Sequence, residues 1–153
     1  MQKQVKKKAI LVTGASGFIG QEVCRTLAKD GYQIKCLIRK ENDTFKKAGY
    51  KTYLYNDNKA EKLVKVVKNC ISVVHCAGNP KFGNGKNYYK ENVEVTEEII
   101  NAIKKTKQNI KLIFLSSIGA VDRSPADNCS LVLNENTPCF PSSDYGKSKL
   151  LAE

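Results

Sequence analysis

Tryptophan is absent from this chain, and methionine and histidine occur once each, as Met1 and His75. Metal sites draw on closely spaced thiolates and imidazoles, and the six cysteines include no Cys-x-x-Cys pair, so no metal site is expected. Cys24, Cys36, Cys70, Cys76, Cys129 and Cys139 read as free, mostly buried thiols. Long apolar runs are also missing. Lys3, Lys6, Lys7 and Lys8 precede the apolar Ala9 to Val12 in the manner of a signal peptide, but that run is too short and glycines interrupt the residues after it. No stretch approaches the roughly 18 apolar residues of a membrane helix, so no membrane segment and a cytoplasmic location are expected. Acidic residues are scarce, 15 against 26 lysines and arginines, for a net charge of +11. Such a field attracts phosphate backbones. The lysines are nonetheless spread over almost every segment and are not clustered with aromatic residues, and no nucleic-acid partner is expected.

At 153 residues and 41% hydrophobic content the chain can bury one core, so residues 1–153 are expected to form one domain. Ala9 to Thr13 reads as a buried strand. Phe18 to Asp30 comes next, with apolar residues at helical spacing, closed by Gly31. Strands are then predicted at Ile34 to Ile38, Lys51 to Tyr55, Ile71 to Cys76 and Ile110 to Leu115. Between them lie a polar segment, Asn42 to Gly49, with room for a short helix, a helix over Lys59 to Lys68, and one long helix from Asn87 to Thr106. Asp122 to Ser143 has turn formers without periodicity and reads as an active-site loop. A last helix starts near Tyr145. Strands alternating with helices predict an α/β fold with a doubly wound parallel sheet, whose ligands sit at the carboxyl ends of the strands.

Thr13-Gly14-Ala15-Ser16-Gly17-Phe18-Ile19-Gly20 leaves the first strand and opens the first helix. Gly14 permits the tight exit, Gly17 lets backbone amides approach a pyrophosphate, and Gly20 allows helix and strand to pack closely. The helix N-terminus adds partial positive charge. Gly14, Ser16, Gly17, Phe18, Ile19 and Gly20 are therefore candidate cofactor-binding residues. At the end of the second strand a carboxylate would favour NAD, whereas this chain has Arg39 and Lys40. A guanidinium there suits a 2′-phosphate, which favours NADP over NAD; a solvated basic pair is the other reading. Further on, Tyr145 and Lys149 stand four apart and share a helix face. A neighbouring ammonium stabilises a phenolate, so Tyr145 is the candidate for proton transfer, with Lys149 beside it and under the cofactor ribose.

The Gly-x-x-Gly-x-x-Gly spacing, together with Tyr-x-x-x-Lys and the Ser116-Ser117 pair after the fifth strand, resembles the extended short-chain dehydrogenases of NAD-dependent epimerase/dehydratase type. The likeness extends over Glu135, Thr137, Pro138, Pro141 and Leu150 to Glu153. It implies a Rossmann-like fold and hydride transfer at a secondary alcohol or ketone, on a nucleotide sugar. It selects Ser117 over Ser116 as the residue that orients the substrate, assigns Asp57 to the adenine amino group, lays the cofactor against Ala77 and Gly78, and makes Asn92 a residue that stabilises the active site. His75 reads as a packed strand residue. The resemblance further implies that a C-terminal substrate domain follows, that the chain by itself turns over little, and that the parent enzyme dimerises. The segment after Val121 lacks the Tyr-Gly of many sugar-nucleotide epimerases, which keeps steroid- or flavonoid-type ketone reductases as an alternative. A non-catalytic NADP-sensing regulator is another.

Overall fold

The computed structural model describes residues 8–55, 60–80, 87–121 and 132–153. They fall into two compact units, Met1–Ala77 with Glu98–Phe114, and Gly78–Glu97 with Leu115–Glu153.

The first unit is built on a five-stranded sheet of β1 (Ala9–Thr13), β2 (Gln33–Ile38), β3 (Lys51–Leu54), β4 (Cys70–His75) and β5 (Lys111–Phe114). The order is β3-β2-β1-β4-β5 and every pairing is parallel. Parallel strands with both faces covered read as unbroken apolar runs, and Ala9-Ile10-Leu11-Val12-Thr13 is buried along its whole length. Register divides the faces. Leu11 aligns with Val73 and Lys35, so Leu11, Leu37 and Val73 share one side, where they pack with α3 (Ala60–Val67) and α4 (Val95–Thr106) through Leu63, Val66, Val67, Ile99 and Ala102. Val12 aligns with Cys36 on the other side, and α1 (Phe18–Lys29) lies there with Cys24 Sγ 3.7 Å from Cys36 Sγ. The doubly wound parallel sheet expected from the alternating pattern is thus what forms.

The short helix within the polar segment is α2 (Asp43–Lys47), started by the Asn42 side chain accepting from the Phe45 amide. Several element boundaries move by a residue. β3 ends at Leu54, although Tyr55 N–H still donates to the Ile38 carbonyl at 2.8 Å. β4 takes in Cys70 and stops at His75, leaving Cys76 outside.

A lysine in a central strand breaks the apolar pattern, and Lys35 is 8% exposed. Its stem runs through the core, and its ammonium donates to the carbonyls of Val66 and Lys68 at 2.7 and 2.9 Å. These are the orphan carbonyls at the end of α3, where a cation also meets the negative end of the helix dipole.

In the second unit the expected long helix is divided. Tyr89–Glu94 forms a π turn, and regular α-helix begins only at Val95. Asn87 starts the segment, its side chain accepting from the Lys90 amide. A 3₁₀ turn, Ile118–Ala120, follows Ser117, and α5 (Asp144–Ala152) begins at Asp144, where the Ser143 hydroxyl accepts from the Gly146 amide. Of the expected loop at 122–143, residues 132–143 hold no regular element, and 122–131 are outside the described residues. Among the described residues no helix is long and apolar enough to cross a membrane, and no cluster of metal-ligating side chains occurs.

Replacing Lys35 by Met strips a buried carbonyl, that of Val66, and a partly buried one, that of Lys68, of a charged donor. Lys35→Met is expected to lower unfolding free energy by about 1–3 kcal/mol, read from urea denaturation; unchanged stability would contradict this role.

Candidate functional site

In the first unit the glycine turn is set by contact as much as by conformation. Gly14 has a φ of +61°, and a Cβ on it would lie 2.7 Å from the backbone of Ala77. A Cβ on Gly20 would run into the Gly14 carbonyl and the Ala15 backbone. The exits of β1 and β4 and the start of α1 therefore meet main chain to main chain, with no room for side chains. Thr13 reinforces the junction, its hydroxyl bonded to His75 Nδ1 and accepting from the Ala77 amide at 3.2 Å. His75, 1% exposed and stacked on Phe114, is the packed strand residue expected, but it has the partner in Thr13 that the sequence did not reveal.

Beyond this junction Ser16, Gly17, Phe18 and Ile19 are exposed, Phe18 at 95%. The N-cap position of α1 is Gly17, and no side chain caps the helix. Its first amides are thus left to an outside acceptor, which fits the diphosphate of a dinucleotide. Arg39 and Lys40 follow β2 and are exposed. Ala77 is half-buried behind Gly14. Asp57 lies outside the described residues.

In the second unit Ser117, Tyr145 and Lys149 are each held by a separate hydrogen bond. Ser117 Oγ accepts from the Gly119 amide at 3.1 Å, and a Cβ on Gly119 would touch both Ser117 Oγ at 3.4 Å and the Tyr145 ring at 3.7 Å. Serine and tyrosine thus converge on one glycine. Gly146 follows the same logic, because a side chain there would strike the Gly119 carbonyl, so α5 packs by its backbone on the 3₁₀ turn. Lys149 is 4% exposed and donates to the Leu115 carbonyl at 2.7 Å. Burial holds its ammonium below the usual lysine range, partly offset by the Glu153 carboxylate.

Asn92, 2% exposed, organises these elements. Its Oδ1 accepts from the Asn79 amide at 2.8 Å and its Nδ2 donates to Ser148 Oγ at 2.9 Å. Ser148 in turn donates to the Tyr145 carbonyl at 2.7 Å. The Asn92 carbonyl accepts from the Thr96 hydroxyl at 2.6 Å. Ser148 escaped the sequence reading, although its place three residues after Tyr145 puts it on the neighbouring turn of one helix face. Nothing in the residue pattern signalled the π turn.

A parallel sheet whose strand order reverses between β1 and β4, with open helix amides beyond β1, defines a dinucleotide-binding α/β protein. Residues 10–153 match the NAD dependent epimerase/dehydratase family, and the chain belongs to it. It is 27% identical to the decarboxylating sterol-4-alpha-carboxylate 3-dehydrogenase of Dictyostelium discoideum, over 95% of this chain and 46% of that protein. It is 28% identical to a UDP-glucose 4-epimerase of Schizosaccharomyces pombe, over 97% of this chain and 46% of that one. The crystal structure of UDP-N-acetylglucosamine 4-epimerase from Bacillus cereus superposes with a TM-score of 0.78 at 29% identity, over 95% of this chain and 46% of the other. The chain therefore spans a little under half the length of these relatives.

Asn92→Ala removes the acceptor of the Asn79 amide and the donor to Ser148 together. A loss of about 1–3 kcal/mol in unfolding free energy is expected, and wild-type stability in urea would show the bridge to be dispensable.

Proposed function

We propose that this chain is the nucleotide-binding and catalytic part of an NAD(P)-dependent oxidoreductase or epimerase that acts at a secondary alcohol or ketone of a nucleotide sugar. The observation that carries the reading is the convergence of Ser117 Oγ and the Tyr145 ring on Gly119, with Lys149 buried one helical turn beyond Tyr145. In this reading the turn residues Gly14, Ser16, Gly17, Phe18, Ile19 and Gly20 receive the diphosphate, Ala77 lies against the cofactor, and Arg39 meets a 2′-phosphate, favouring NADP. When bound, the nicotinamide supplies the acceptor or donor of the hydride. Ser117 hydrogen-bonds the reacting oxygen, and Tyr145 takes or returns its proton. A free phenol ionises near pH 10, so a catalyst near neutrality needs a cation beside it; Lys149 fills that role and also bonds the cofactor ribose. Asp57 is proposed as the partner of the adenine amino group.

The nucleotide-sugar substrate is supported by the two epimerase relatives, which by name act on UDP-sugars. A steroid-type substrate is a second reading, favoured by the sterol dehydrogenase among the relatives. Dimerisation of the parent enzyme is supported by the family resemblance, and a reducing, cytoplasmic location by the free thiols of Cys24, Cys36 and Cys70.

Two measurements test this. The fluorescence of the reduced nicotinamide, excited directly, allows titration of cofactor binding. NADPH is expected to bind about tenfold or more tighter than NADH, with the preference abolished in Arg39→Asp; equal affinities would remove NADP from the reading. In full-length enzyme carrying this chain, Tyr145→Phe is expected to cut kcat on a UDP-sugar by at least about a hundredfold while cofactor affinity holds. Turnover of a 3-hydroxysterol and not of UDP-sugars would select the second reading.

A further inference from the structure

Tyr88 and Tyr89 stand side by side at the head of the π turn, and their side chains meet different surroundings. Tyr88 is half-buried, whereas Tyr89 is 51% exposed. Consecutive helical side chains point about 100° apart, so when one turns inward its neighbour faces away. The ring of Tyr88 lies edge-on to that of Tyr145, with centroids 6.0 Å apart and planes at 62°. Aromatic pairs at this separation and tilt attract beyond the gain from burial alone.

The rest of Tyr145 is already constrained. A Cβ on Gly119 would lie 3.7 and 3.8 Å from Cδ1 and Cε1 of its ring. Its carbonyl accepts from Ser148, which itself accepts from Asn92. One stretch, Tyr88 to Asn92, therefore reaches Tyr145 twice, at the ring directly and at the main chain through Ser148. The π turn sets the rotational phase between those two residues, since it fits one more residue per hydrogen-bonded loop than an α-helix.

We propose that Tyr88 is a positioning residue, its ring holding the Tyr145 ring in one orientation so that the phenol meets the reacting oxygen in fixed geometry. The proposal rests on the reading of Tyr145 as the proton-transfer residue. A hydrogen bond from Ser148 fixes only the backbone of Tyr145, whereas rotation about its side-chain bonds is restrained by what packs on the ring. Small displacements of a catalytic group carry large rate penalties, which is the reason such a contact matters.

The test uses the 153-residue chain with ring-¹³C-labelled tyrosine, the Tyr145 resonance being identified by its loss in Tyr145→Phe. A nuclear Overhauser contact between the Tyr88 and Tyr145 rings is expected in the wild type. In Tyr88→Leu the Tyr145 ring should reorient roughly three- to tenfold faster and lose its ring-current shift, with the melting temperature little changed. Tyr88→Phe, which keeps the ring, should restore both signals. Absence of the wild-type contact overturns the proposal even if Tyr88→Leu does not fold, and so does a Tyr145 ring equally ordered in Tyr88→Leu. These signals need no cofactor, so failure of the chain to bind NADPH or NADH would count against the functional reading alone.

Discussion

The second unit depends on one buried carboxamide. Asn92 can bond on both sides at once, accepting from the Asn79 amide in a partly buried bond and donating to Ser148 Oγ in a buried one. A buried amide with either end unpaired would cost more than the bonds contribute, so the two segments it joins are held together or not at all. From Ser148 the constraint passes to the Tyr145 backbone, and α5 lies close enough to the 3₁₀ turn for Gly146 to exclude any side chain. Asn92 lies within the π turn, and its carbonyl also accepts from the Thr96 hydroxyl.

The first unit is organised by a different constraint, the absence of space. Parallel strands covered on both faces leave β1 wholly buried, and the chain must leave it between β4 and α1. Glycine at positions 14 and 20 lets main chain meet main chain there. The consequence is an exposed, uncapped helix start, whose amides face outward because nothing inside can take them. Family membership agrees with that geometry. The relatives' names, sterol dehydrogenase on one hand and sugar-nucleotide epimerases on the other, show that this half of the fold serves unlike substrates.

Much of this was legible along the chain because local chemistry wrote it. Among the described residues, alternating apolar runs and helical periodicity located the five strands and α1, α3 and α5 to within a residue or two. The glycine spacing placed the turn, and the Tyr145–Lys149 interval placed both residues on α5. Ser117, expected at the end of the fifth strand, instead caps the 3₁₀ turn three residues beyond β5, whereas the buried state of Cys24, Cys36 and Cys70 followed from their apolar neighbours. The apparent single helix from Asn87 to Thr106 was not wholly legible. A π turn has nearly the same apolar pattern as an α turn, and the groups that bond the Asn92 side chain within it, Asn79 and Ser148, lie elsewhere in the sequence.

Lys35 and His75 mark the same boundary. In sequence each is a polar residue in an apolar strand, and neither shows its partner. Val66 and Lys68 carbonyls come to Lys35 from the end of α3, and Thr13 comes to His75 from the adjoining strand. The sequence by itself therefore determined the fold class, the family and which residues are candidates for chemistry, since periodicity, glycine spacing and an i, i+4 pair are properties of local backbone geometry. Only the tertiary structure decided how those residues are held. Hydrogen bonds such as Asn92 to Ser148 and ring contacts such as Tyr88 to Tyr145 join positions more than fifty residues apart, and no local pattern encodes which distant group will satisfy a buried one.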